Sequence, residues 1–161
     1  LYSSAASDVY KRQVYKSSIK RVGDYVKTTI LIDITGLRST GANDIIGVDG
    51  TALVCHLGQI TTAKNGVIFG GHIKCLEAAA GGDTDIDLYY AAEGTGVEDT
   101  VITSLDETAL TNPGVMAIGT NYPFLASVFP EADQYLYLVN VGGGSDADYT
   151  AGRFLIEMWG V

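Results

Sequence analysis

The chain has 161 residues, with 10 basic and 19 acidic side chains and a formal net charge of -9. An acidic surface of this kind disfavours direct nucleic-acid binding by the body of the protein, and no apolar run approaches the ~20 residues that a membrane-spanning helix needs. Twenty glycines against three prolines, together with ten tyrosines, suit many short strands joined by tight turns, and two cysteines are too few for a disulfide-dense scaffold.

At the N-terminus, residues 3–13 read SSAASDVYKRQ. This stretch resembles the in-frame translation of a transposase-type sequencing-library adapter, so residues 1–13 are expected to be a non-native scar, with the native start missing and a metagenomic source implied. Setting aside Asp8, Lys11 and Arg12 removes one net positive charge and takes the formal charge from -9 to -10. What remains suffices for one domain with a sizeable core, not for two. Residues 14–23, with Lys16, Lys20 and Arg21, are expected as a solvated basic arm, and residues 24–161 as a single domain.

Strict alternation over Tyr25–Ile34 predicts a half-buried strand with Val26, Thr28, Ile30, Ile32 and Ile34 inward. A short edge strand is expected at Ile45–Val48. Lys64-Asn65-Gly66 then reads as a hairpin turn between strands at 53–62 and 66–77. The apolar positions Leu53, Cys55 and Leu57 on one side and Val67, Phe69, Ile73 and Cys75 on the other are all odd-numbered, and opposed residues share a face. A glycine bulge at Gly66 keeps that match; on this register Cys55 lies across from Cys75, and His56 across from Lys74. Further strands are expected at Asp85–Ala91 and Thr100–Leu105. Ser104 and Glu107 have capping-box spacing for a short helical turn near Leu105–Leu110. Residues 112–133 read as loops with one short strand, Tyr135–Val141 as a central strand covered on both faces, and Ala151–Trp159 as the closing strand. Seven to nine strands without long amphipathic helices define an all-β fold, a β-sandwich, with a jelly roll preferred over an immunoglobulin-like arrangement.

Few residues suggest chemistry. Cys55, His56, His72 and Cys75 form a zinc-like set by residue type, yet neighbours of opposite parity on a strand point to opposite faces, which disfavours a shared ion. Cys55 and Cys75 are instead expected as a cross-strand pair, either two buried thiols or a disulfide. Asp83, Asp85 and Asp87 alternate like the opening of a calcium loop, but Leu88 stands where that motif needs Gly, and the closing Glu is missing. Asp85 and Asp87 are therefore expected on the solvated face of a strand, with calcium as the weaker alternative. No catalytic residues are singled out: no nucleophile elbow is present, no phosphate-binding loop precedes a helix, and no two of the nineteen acids are marked as a glycosidase pair. Tyr135, Tyr137 and Trp159 are candidate interface residues, because Leu136 and Leu138 already supply the opposite face.

The segments DYVKTTILIDITG (24–36), CHLGQIT (55–61), GGDTDIDLY (81–89), YLYLV (135–139) and DYTAGRFLIEMWG (148–160) resemble a family of uncharacterised, virion-associated proteins of marine tailed phages, over roughly 21–161. The resemblance implies a non-enzymatic phage structural protein without a cofactor, assembled in the bacterial cytoplasm and located in the virion. It also implies a capsid decoration or cement-like subunit that forms homo-oligomers and contacts capsid proteins. The alternative is a carbohydrate-binding or adhesion module of a tail or fibre, using tyrosines and a calcium ion. A β-sandwich glycan hydrolase is a further rival and requires a buried carboxylate pair in a cleft.

Overall fold

The alternation that begins at Tyr25 becomes a nine-residue strand in which every second side chain is buried. The computed structural model describes residues 14–50, 52–143 and 146–161, and the adapter-like segment 1–13 lies outside them. In chain order the elements are β1 (Val14–Val22), β2 (Tyr25–Asp33), β3 (Arg38–Ser39), β4 (Asp44–Ile45), β5 (Gly58–Gln59), the helical turn α1 (Thr62–Asn65), β6 (Ile68–Ala80), β7 (Ile86–Ala91), a 3-10 turn at Ile102–Leu105, β8 (Glu107–Ala109), β9 (Asn121–Pro123), β10 (Tyr135–Asn140), β11 (Ala147–Asp148) and β12 (Ala151–Gly160).

Two antiparallel sheets face one another. The first has the order β1-β2-β12-β6-β9; the second has the order β4-β10-β7-β8, with β5 also paired to β10. β3 and β11 form a small separate ribbon. The fold is the expected all-β sandwich; jelly-roll connectivity is a finer statement than these strand orders make. The main core lies between the sheets. Ile30, Ile32, Ile73, Cys75, Phe154, Ile156 and Met158 come from the first sheet, and Ile86, Leu88, Leu136 and Leu138 from the second.

A second apolar cluster lies on the far face of the second sheet, where Tyr137, Val139 and Ala91 meet Ile45, Cys55, Ile102 and Leu105. The chain from Glu93 to Leu105 folds over this face, anchored by bridges from Val97 to Val54 and from Val101 to Asp44. β10 is thus covered on both sides, as its unbroken apolar sequence predicts.

Three local expectations are corrected. Residues 16–22 are exposed, as expected of a basic arm, but residues 14–22 pair along β2 as an edge strand. The helical turn expected near Leu105–Leu110 lies earlier, at Ile102–Leu105, and Ser104 bonds back to the Val101 carbonyl instead of capping a helix. The hairpin between 53–62 and 66–77 does not form. Lys64-Asn65-Gly66 instead ends α1: the Thr61 side chain caps its start, accepting from the Lys64 N–H, and Gly66 ends it with φ at 71°. That positive φ suits glycine, which carries no Cβ. β5 pairs with β10 and β6 with β12, so these neighbouring segments belong to different sheets.

This separates the cysteines. Cys75 pairs with Phe154 inside the main core, whereas Cys55 lies in the second cluster beyond the second sheet. Both are free thiols, and a disulfide or direct thiol pair between them is excluded by their placement. Burial raises both thiols above their ordinary titration range, as it does for inert structural cysteines.

Candidate functional site

The outer face of the first sheet is built by the strands whose inner side chains make the core. Along β2 the residues that alternate outward are Tyr25, Lys27, Thr29, Leu31 and Asp33; along β12 they are Arg153, Leu155, Glu157 and Trp159. β6 adds His72, Lys74 and Leu76. Its register against β12 slips near the strand start, where Trp159 pairs with Gly70 but Gly160 pairs with Ile68. The extra residue, Phe69, is a β-bulge, and a bulge reverses the parity of whatever precedes it. Phe69 and Val67, expected inward, therefore point outward, and Phe69 packs against Tyr25 with ring centroids 5.6 Å apart.

Beside this pair, the Lys27 ammonium lies 5.0 Å from the Trp159 ring centroid and also pairs with Glu157. Glu157 is flanked on its other side by His72 Nε2 at 3.4 Å. The result is a surface of aromatic and aliphatic groups around one charged cluster. Tyr25 is 49% exposed, Phe69 46% and Leu76 40%. This is the chemistry that protein interfaces favour, with large rigid side chains at the centre and charge held in pairs. The sheet continues into β1, whose described side chains, residues 16–22, are all exposed.

Of the three expected interface tyrosine and tryptophan positions, only Trp159 is on this face. Tyr135 is half-buried on the other sheet and packs against His56 at 5.0 Å. Tyr137 is fully buried and is corrected from interface to core: the second surface suggested by its sequence is covered by this chain's own loop. Its hydroxyl donates to the Glu93 carbonyl at 2.7 Å and accepts from the Gly96 N–H at 3.3 Å, fastening that loop to β10. Replacing Tyr137 by Phe leaves both backbone groups without this partner. A loss of about 1–2 kcal/mol is expected, read as a lower denaturant midpoint with an unchanged slope.

Asp83, Asp85 and Asp87 do not gather around a centre. The Asp83 carboxylate accepts from the Asp85 N–H at 2.9 Å, and among the described residues no group of three His, Cys, Asp or Glu side chains is arranged to hold a metal ion. Asp87 is also not solvated. It is 3% exposed, across from Val139 on β10, and its Oδ1 has no hydrogen-bond partner. Asp85 likewise has a buried Oδ1 without a partner. Burial, and then the neighbouring charge of Asp85, pushes the Asp87 carboxyl up to about 7. The sequence gives no sign of this burial, since strand alternation alone cannot show what lies over a face.

A second charged feature lies at the end of the sandwich where β2 leaves the first sheet. Arg38 is held by Asp146 at 2.7 Å, Asp148 at 3.2 Å and Asp49 at 3.8 Å. Glu98 adjoins the same group, and burial together with Asp99, Asp49 and Asp146 raises its carboxyl above the ordinary range. Three acids therefore pair with one guanidinium, and a fourth, Glu98, lies within reach of its charge.

No protein-family model, curated protein or solved structure matches the chain. No helix among the described residues is long and apolar enough to cross a membrane.

Proposed function

We propose that this chain is a non-enzymatic structural subunit of a tailed-phage virion, a decoration or cement-like protein that acts by contacts between copies and with capsid proteins. The observation that carries the reading is the exposed outer face of the first sheet, with Tyr25 and Phe69 beside the Lys27–Trp159–Glu157 cluster and Leu76 further along β6. Exposed aromatic faces bind other proteins by burying a few anchors. The net charge of -9 keeps free copies soluble until that face is covered.

Binding to capsid shells of marine tailed phages, measured by co-sedimentation, tests this. The wild-type chain is expected to bind, and Tyr25→Ala with Phe69→Ala to weaken binding by at least about tenfold, as removal of interface anchors does. Because both side chains are exposed, folding stability should stay close to wild type. Equal binding by both proteins, or none by either, contradicts the proposal. The tilted Tyr25–Phe69 pair also suits stacking on a sugar ring, which favours the carbohydrate-binding alternative. A glycan array probed with and without chelator separates the two: selective glycan capture supports the adhesion module, and capsid binding supports the shell protein.

A further inference from the structure

The basic strand β1 and the acidic end around Arg38 are opposite in sign and lie on different parts of the fold. β1 carries Lys16, Lys20 and Arg21 and no acid, a charge of +3, whereas residues 23–161 carry five bases and eighteen acids, a charge of -13. Among the described residues, β1 pairs with β2 alone, at the end of the first sheet's strand order. The second sheet does not cover it: residues 16–22 are exposed throughout, including Ile19 at 48% and Val22 at 46%. Among the described residues, nothing pairs with the outer edge of this strand, and the exposed side chains of residues 16–22 leave it a ready site for another chain.

Its charge selects the partner. Pairing β1 with β1 of a second copy across a twofold axis would set three cations against three cations, and like charges facing across strands are destabilising. Basic side chains on an edge strand guard against that contact. The acidic end around Arg38 offers the complement. Asp49, Asp146 and Asp148 are each 65% exposed in their side chains there, and Glu98 has a buried Oε1 with no hydrogen-bond partner.

We infer that the basic edge strand β1 of one copy docks on the acidic Arg38 end of a second copy, in a head-to-tail contact. Such a contact uses two different surfaces, so each copy both gives and receives, and it builds rings or open arrays, not closed twofold dimers. Ile19 and Val22 contribute apolar burial, and the ionic pairs set orientation and salt sensitivity. The inference rests on the self-association part of the proposed function and names the surfaces that perform it.

Two charge-reversal variants of the full chain test it. One carries Lys16→Glu, Lys20→Glu and Arg21→Glu; the other carries Asp49→Lys, Asp146→Lys and Asp148→Lys. Sedimentation velocity at about 50 mM salt should show wild-type assemblies that dissociate toward about 0.5 M, where the screening length falls to a few ångströms. Each variant alone should be monomeric, because its two surfaces then repel. An equimolar mixture should assemble again, because every β1 then meets an end of opposite charge. Thermal unfolding of each variant confirms that it is folded; if the triple aspartate variant is not, Asp49→Asn with Asp146→Asn replaces it and should weaken assembly. Wild-type assembly retained in either variant alone, or a mixture that stays monomeric, overturns the head-to-tail contact while leaving self-association itself intact. A wild-type chain that is monomeric at every salt concentration overturns both.

Discussion

Asp87→Asn should make the protein more stable at pH 8 and leave it unchanged at pH 4. The buried Asp87 carboxyl titrates at about 7 in the folded chain against 3.8 when unperturbed. Between these values the folded state holds a proton that the unfolded state has released. Stability therefore falls as pH rises through the window from about 4 to about 7, and the deficit is complete above it. At 1.36 kcal/mol per pKa unit the deficit reaches at most roughly 4 kcal/mol, and relaxation around the site lowers it to about 2–4 kcal/mol. Burial of a charge without a partner is the dominant cause, with Asp85 second. Asp85 is shifted in the same direction, by burial and then by Asp83, so it adds to the fall in stability as pH rises from the ordinary carboxylate range. Asparagine keeps the shape of the side chain and removes the charge. Unfolding midpoints for the two proteins should converge near pH 4 and separate steadily toward pH 8. A constant difference at all pH values would place the effect in packing instead of charge.

Asn65→Ala should cost about 2–4 kcal/mol, a large loss for a residue in a surface-turn sequence. Asn65 is 2% exposed. Its Nδ2 donates to Thr28 Oγ1 on β2 at 2.9 Å, and its Oδ1 accepts from the Thr61 N–H at 2.9 Å. One side chain thereby ties α1 both to its own start and to the first sheet. Alanine removes both bonds and leaves the buried Thr28 hydroxyl without that donor. The next residues extend the tie, since Val67 and Val161 exchange backbone hydrogen bonds of 2.8 and 3.1 Å. A side chain at Gly160 would collide with the Asn65 carbonyl, which is why the closing strand ends in glycine there. Urea titration should show a lower midpoint at unchanged slope. An effect below about 0.5 kcal/mol, the range of exposed sites, would contradict the buried role.

The same residues show how much the sequence could reveal. Alternation located β2 and its inward residues, because one face lies on the main core and period-2 burial is then imposed by the pleat; β12 has the same period, whereas β7 is buried at Ile86, Asp87 and Leu88 alike. The continuous apolar run of β10 correctly indicated cover on both faces. It could not say who supplies the cover, and the answer, the 93–105 segment with its 3-10 turn, placed Tyr137 in the core. The hairpin reading failed for two physical reasons. Asn-Gly suits a helix end as well as a two-strand turn, since both use glycine at positive φ. The bulge at Phe69 then reversed the parity on which the Cys55–Cys75 register depended. The candidate surface was correspondingly only half legible: Trp159 was marked in advance, whereas Tyr25 and Phe69 became partners through a register slip that no local pattern announces. β1 went unrecognised because its basic composition reads as a tail, and its pairing depends on the neighbouring strand.

The reading of this chain as a protein that works through contacts between copies is most directly tested by sedimentation velocity of the unmodified full chain across a range of concentrations at low salt. The account predicts species larger than a monomer whose proportion grows with concentration. A single monomeric species throughout would contradict it.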